Sequence, residues 1–172
     1  MGELDLLKPT LERALGGTIH FGRVAVKPGK PTTFCTVPHK TASGAGGRVT
    51  TPVFALPGNP ASALVMAHLF VMPALQKMGG GLAPWGMPRV MVCVRGGEVR
   101  CDPRRREYHR VGLRGEGDGR MGAWSTGVQR SSRVGSLRGA GGLLCLPAKE
   151  GVLGEGEMVE CLVMGGLEGL SD

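Results

Sequence analysis

Residues 52–81 read PVFALPGNPASALVMAHLFVMPALQKMGGG, and the succession of residue types in this stretch decides the fold class. Pro52 to Leu56 is a continuous apolar run, the pattern of a strand buried on both faces. Pro57 and Gly58 supply a turn, Asn59 is a good N-cap, and Pro60 suits the first helical position. The helix that follows, Ala61 to Met78, is apolar nearly all round, which predicts deep burial or an interface. Pro73 should kink it or begin its last turn, and Gly79-Gly80-Gly81 ends it. A strand that turns through glycine directly into a capped helix is a step of an α/β layer structure. Free N–H groups at that helix start, aided by the helix dipole and the Ser62 hydroxyl, make Gly58, Asn59 and Ser62 a candidate anion site. The simpler reading is a plain strand-to-helix turn. It is not a phosphate loop of the GxxxxGK[ST] kind, because no lysine follows the glycines.

Upstream, Glu3 to Leu15 sets Leu7, Leu11 and Leu15 at helical spacing, and Gly16-Gly17 stops the helix. Thr18 to Val26 alternates and predicts one or two extended pieces. A turn follows, Lys27-Pro28-Gly29-Lys30-Pro31, with two ammonium groups three residues apart between prolines. By itself a basic turn reads as solvated surface. Thr33 to Val37 predicts a short strand, and Lys40 to Thr51 a Gly/Ser/Ala hairpin tip. Downstream, Gly80 to Pro88 reads as a linker. Beyond it Arg89 to Arg95, Glu107 to Arg114, Leu143 to Leu146 and Met158 to Met164 are apolar or alternating pieces divided by glycine turns, the pattern of a small all-β domain. The expected division is therefore an α/β part over residues 1–82 and an all-β domain over 83–172.

Composition narrows the function classes. The 172 residues carry 21 Lys+Arg against 14 Asp+Glu, a net charge of +7, which favours anionic partners. Only seven aromatics are present and none interleaves with the one dense basic block, Arg104-Arg105-Arg106, so a stacking platform for nucleic acid is not expected. Five cysteines include no C-x-x-C pair, which argues against a zinc ribbon or a disulfide framework. The longest apolar stretch, Ala61 to Leu75, falls short of the roughly 20 residues of a membrane span. The Met1 end lacks the charged and apolar regions of a signal peptide. A cytoplasmic protein with reduced thiols, small anionic ligands, and neither membrane nor nucleic acid as partner is the expectation.

Several motifs occur together in order. Met1-Gly2-Glu3-Leu4-Asp5 resembles the end of a glycine-serine pterin-binding motif and the aspartate after it. Ile19-His20-Phe21-Gly22-Arg23-Val24, the KPGKP turn, Phe54 to Pro60 and Phe70-Val71-Met72-Pro73-Ala74-Leu75 follow. The β part adds Asp102-Pro103, Glu107-Tyr108-His109-Arg110, Ser125-Thr126-Gly127, Ser131-Ser132-Arg133 and Gly142 to Pro147. As a set, running through nearly the whole chain, they resemble the molybdopterin molybdenumtransferase family, which comprises MoeA, gephyrin and the E domain of plant molybdenum-cofactor proteins.

The resemblance implies the C-terminal part of a three-layer α/β/α molybdenum-cofactor domain followed by a small β-barrel-like domain. It implies a transferase that inserts molybdate into molybdopterin, free or adenylylated, in an ATP-independent insertion step assisted by Mg²⁺ or Zn²⁺. A dianion calls for fixed positive charge and hydroxyl or N–H donors. By family likeness Lys27 and Lys30 would line its pocket as catalytic residues, Pro31 would shape it, and Ser62 would sit at the helix start. Arg110 and Ser136 would come from the β domain, and Asp5 would be the acidic residue beside pterin and metal. Taken alone, Arg110 reads as a solvent-face strand residue, Asp5 as a helix N-cap, and Arg104 to Arg106 as a solvated turn. His68 and His109 read as packing or hydrogen-bonding residues. Family members carry a long first part with no counterpart here, so a truncated gene model or fragment is expected, and the family's homodimer is built largely with that part. A non-catalytic scaffold of the gephyrin sort is the alternative expectation, and an unrelated nucleic-acid binder a third.

Overall fold

The computed structural model describes residues 6–40 and 48–165. A short helix α1 (Leu7–Pro9) continues as a π-helical turn through Thr10–Ala14, and of its three spaced leucines only Leu11 is buried. Strand β1 (Thr18–Phe21), a two-residue β2 (Val26–Lys27), β3 (Thr33–Lys40) and β4 (Arg48–Ala55) follow. β3 is longer than the sequence predicts, and β4 begins inside the stretch expected to be a hairpin tip, whose middle lies outside the described residues.

β1, β3 and β4 form a three-stranded antiparallel sheet. The apolar run at 52–56 therefore pairs antiparallel with β3, Phe34 opposite Phe54, and is half-buried. This corrects the expectation of a strand covered on both faces. A phenylalanine chain covers one face, and on the other face of β3 Thr33 and Cys35 are buried. Phe54 stacks on Phe34 (centroids 4.7 Å apart), Phe34 meets Phe21 at 5.7 Å, and Phe21 reaches Phe70 of the helix at 5.6 Å.

The helix runs as α2 (Pro60–Met66), a π turn (Ala67–Val71) and α3 (Met72–Met78). Proline has no N–H to donate backward, and the widened turn just before Pro73 absorbs its ring without breaking the helix. Burial is uneven. Ala61, Val65 and Met66 are fully buried, whereas Leu64, Met72, Leu75 and Met78 are exposed, so only the first half meets the expectation of deep burial. At 19 residues this helix is, among the described residues, the one long and apolar enough to cross a membrane by length and composition. That is longer than the apolar stretch read from the sequence, because the helical geometry extends past Leu75 to Met78. Its buried half packs on protein.

The β part forms from β5 (Arg89–Arg95), β6 (Val99–Arg100), β7 (Arg106–Gly115), β8 (Met121–Ser125), β9 (Gly142–Leu146), β10 (Val152–Leu153) and β11 (Met158–Val163). Strands β7, β8, β5, β11 and β9 pair in that order, and β9 returns to β7, closing a five-stranded barrel that leaves no edge among these strands. Val92, Val94, Val111, Leu113, Leu144, Leu146 and Cys161 fill its interior. The alternate residues of β9 and β11 (Leu143, Cys145, Leu162) pack outward against Val65 and Met66 of α2, so β9 is buried on both faces. β8, β6 and β10 were not legible in the sequence. β8 (MGAWS) is short and glycine-bearing, and the other two are two-residue pairings that carry no periodicity.

Leu144 sits in the barrel interior with no exposure and Leu82 in the linker is 93% exposed. Leu144→Ala is expected to cost about 2–5 kcal/mol in urea-unfolding free energy, and Leu82→Ala less than about 0.5 kcal/mol.

Candidate functional site: an electropositive cavity between the α/β part and the barrel

The KPGKP turn is held from two sides. β2 pairs in parallel with the start of β7, Val26 beside Arg106 and Lys27 beside Glu107. The Lys27–Pro28 peptide is cis, and Gly29 has φ +115°, a conformation glycine adopts without strain. A β-carbon at Gly29 would overlap the Met66 side chain, so the turn can lie against α2 only with glycine there. Thr32 closes the turn, donating from its N–H and its hydroxyl to the Gly29 carbonyl at 3.0 and 2.7 Å.

The turn forms one wall of a cavity of about 620 Å³. Lys27, Lys30 and Pro31 line it together with Pro57, Asn59 and Ser62 from the strand-to-helix turn, which brings five of the candidate residues to one space. Gly58, the remaining member of that group, is exposed and is not among the lining residues. Asn59 occupies the N-cap position with extended backbone (φ −75°, ψ 122°), yet its side chain makes no cap bond. Its amide instead donates to Ser131 Oγ at 3.2 Å and ties the helix start to the opposite wall. Asp5 lies outside the described residues.

That opposite wall is the segment Val128 to Ser132, with Arg105 at the rim. Arg110 builds it from behind. Its backbone N–H donates to Gln129 Oε1 (2.9 Å), and Gln129 Nε2 donates back to the Arg110 carbonyl (3.2 Å). Arg110 Nε donates to Ser136 Oγ at 2.9 Å, and Ser136 Oγ donates to the Arg133 carbonyl at 2.6 Å. The solvent-face reading of Arg110 is thus corrected: the residue is fully buried, and Ser136 is 1% exposed. The two meet each other beneath the cavity-lining segment, and neither is among the residues that line the cavity. Nη1 of Arg110 is buried and unpartnered, and among the described residues Arg110 forms no ion pair. Burial pushes its guanidinium pKa down, with Glu107 opposing. A buried guanidinium with no directly paired carboxylate adds positive potential behind the cavity, partly offset by Glu107.

Lys27 is balanced by acid. Its ammonium lies 2.9 Å from Glu107 Oε2 and 3.8 Å from Asp102 Oδ2. Asp102 also pairs with Arg105 (3.0 Å) and accepts the Arg104 and Arg105 backbone N–H groups. Burial opposes ionisation of Glu107, but His109 and the Lys27 ammonium outweigh it and hold its carboxyl below the usual range. His109 shares a hydrogen bond with Ser125 Oγ through Nε2 at 2.8 Å, while its Nδ1 lies 3.6 Å from Glu107 Oε1, buried and without a hydrogen-bond partner, and His68 donates to the Leu64 carbonyl. Arg105, Gln129, Arg130, Ser131 and Glu107 were missed in the sequence. Arg105, Glu107 and Ser131 fell inside motifs read from the sequence without a role, and Gln129 and Arg130 fell inside none, with no periodicity to aim the side chains.

Among the described residues no group of three or more His, Cys, Asp or Glu side chains is placed to hold a metal ion. Asp102 and Glu107 do not fit the divalent ion that the resemblance implies, since Lys27 and Arg105 already occupy them.

A closed barrel is docked on an α/β part, with lysines from one and an arginine-bearing wall from the other around one cavity. Residues 1–77 match the model described as the probable molybdopterin binding domain, and residues 96–164 match the MoeA C-terminal region, domain IV. The chain belongs to the family of MoeA, gephyrin and the molybdopterin molybdenumtransferases. It is 43% identical to gephyrin of Dictyostelium discoideum over 96% of its own length and 24% of that protein's. It is 36% identical to the molybdenum cofactor synthesis protein cinnamon of Drosophila melanogaster, over 87% of this chain and 22% of the other. A molybdopterin biosynthesis MoeA protein of Pyrococcus horikoshii superimposes with a TM-score of 0.70 at 30% identity, over 94% of this chain and 35% of its own. The chain thus matches between 16% and 24% of the length of these and other curated relatives.

The Glu107 carboxyl titrates lower when folded than when unfolded, so its contribution to stability is present above its ordinary value of 4.5 and is lost as pH falls below it. Melting temperature measured against pH should fall less steeply below about pH 4.5 for Glu107→Gln than for the unaltered chain.

Proposed function

We propose that this chain takes part in molybdenum-cofactor biosynthesis, holding molybdate for transfer to molybdopterin in the cavity between the lysine turn and the barrel. The observation that carries the proposal is the convergence of Lys27, Lys30, Asn59 and Ser62 from the α/β part with Arg105 and Arg130 from the barrel around one space of about 620 Å³. The family assignment supplies the substrate class, and the geometry supports it with cations and hydroxyl donors suited to a tetrahedral dianion. The names of the bacterial relatives, molybdopterin molybdenumtransferase, support a transferase activity.

In this reading Lys30, exposed at the rim, draws the dianion in, and Lys27 binds it from the floor. Pro28 and Pro31 keep both ammonium groups on one side of the turn. Asn59 and Ser131, already bonded to each other, hold the two walls at fixed separation, which orients the bound oxyanion toward the acceptor dithiolene. Arg110 and Ser136 are assigned as positioning residues: they shape the Gln129–Ser132 wall and raise the potential behind it. Molybdopterin, free or adenylylated, would bring the acceptor sulfurs. For the Mg²⁺ or Zn²⁺ expected with the adenylylated substrate the proposal rests on Asp5 alone, and no step is routed through it.

Calorimetric titration with molybdate tests the reading. Lys30→Ala should weaken binding about tenfold or more with an unchanged melting temperature, because an exposed ammonium contributes charge and not packing. Molybdate affinity unaffected by Lys30→Ala, or no binding by the unaltered chain, would overturn it.

A further inference from the structure

Lys27, with Val128 and Gln129, lines two neighbouring cavities. One is the oxyanion cavity. The other, about 390 Å³, lies behind it and is lined by Asp102, Glu107 and His109. Alternation along β7 places Glu107 and His109 on the face that carries Val111 and Leu113 into the barrel interior, so a carboxylate closes the barrel mouth directly under the lysine. Glu107 is 3% exposed, and the only ammonium or guanidinium within ion-pair distance of it, among the described residues, is Lys27. Asp102, by contrast, is held mainly by Arg105 and the turn it caps.

We infer that Glu107 sets the affinity of the cavity for multiply charged oxyanions, cancelling the Lys27 charge from behind so that the dianion is held loosely enough to be passed on. The inference rests on the oxyanion reading above. Without this carboxylate a dianion would face Lys27, Lys30, Arg105 and Arg130 with only Asp102 to offset them, a trap more than a transfer site. Two effects compete when the charge is removed. Lys27 loses an anchor, which costs a few-fold in pre-organisation, while the dianion loses a poorly screened repulsion. Coulomb energy scales with ligand charge and falls only as the inverse of distance, so the second effect is the larger for a dianion. Glu107 is therefore a positioning and affinity-tuning residue that acts through Lys27.

Calorimetry on the full 172-residue chain with sodium molybdate and with perrhenate, a tetrahedral monoanion, tests this. Glu107→Gln should tighten molybdate binding about tenfold or more and perrhenate binding by only about the square root of that factor. Glu107→Asp, which keeps the charge, should stay within a few-fold of the unaltered chain. A second pair guards against a folding defect in the glutamine variant. Lys27→Met leaves the buried carboxylate behind the cavity and should lose about a hundredfold or more in molybdate affinity, and Lys27→Met combined with Glu107→Gln should recover most of that loss. The inference fails if Glu107→Gln weakens or does not alter molybdate binding, if both anions change equally, or if the double variant binds no better than Lys27→Met. An unaltered chain that binds no molybdate removes the oxyanion reading and this inference with it. One that binds while the variants fail removes this inference only.

Discussion

Two residue pairs of parallel sheet, Val26 with Arg106 and Lys27 with Glu107, carry the geometry of the whole site. They are the only strand pairing, among the described residues, between the α/β part and the barrel. So short a ladder would not hold alone. It is clamped by the Lys27–Glu107 ion pair on the barrel side and by Met66 seated against Gly29 on the helix side. Met66 in turn belongs to the apolar cluster with Leu143, Cys145 and Leu162 on the outer wall of the barrel. The hydrophobic contact fixes the distance between the parts, and the ion pair fixes which way the lysine faces.

The barrel solves a second problem, how to place positive charge beside a cavity without exposing it all. Arg110 is buried whole, and its hydrogen bonds go to Ser136 and to the Arg130 carbonyl, with none to a carboxylate. Removing a guanidinium from water is costly without full pairing. Its bonds order the segment between Thr126 and Ser136, whose Thr126 hydroxyl donates to the Ser136 carbonyl at 2.8 Å. Lys27 takes the opposite course, half-exposed and compensated. One wall therefore holds a guanidinium that no carboxylate pairs directly, and the other an ammonium paired with Glu107.

Much of this could be read from residues in order. The turn at Pro57 to Pro60, the helix to Met78, β5 over Arg89–Arg95 and the β character of the second part all follow from periodicity and from Gly/Pro punctuation, and the KPGKP turn stood out by its charge. What could not be read were contacts made by single side chains over long separations. Asn59 has the composition of an N-cap, but its partner Ser131 lies 72 residues on. Arg110 alternates with apolar neighbours as a surface residue would, because strand periodicity reports which face a side chain occupies and not what later packs over that face. Arg105 sat in a block that looked solvated, and its pairing with Asp102 turns it toward the cavity.

Whether the proposed oxyanion lies at the junction of the two parts can be measured by anomalous diffraction from crystals of the chain soaked in tungstate, a heavier analogue of molybdate. One strong peak is expected within hydrogen-bonding distance of the Lys27 and Lys30 ammonium groups and of the Gln129–Ser132 segment. A peak elsewhere, or crystals in which the lysine turn stands apart from β7 and no shared cavity remains, would contradict that placement.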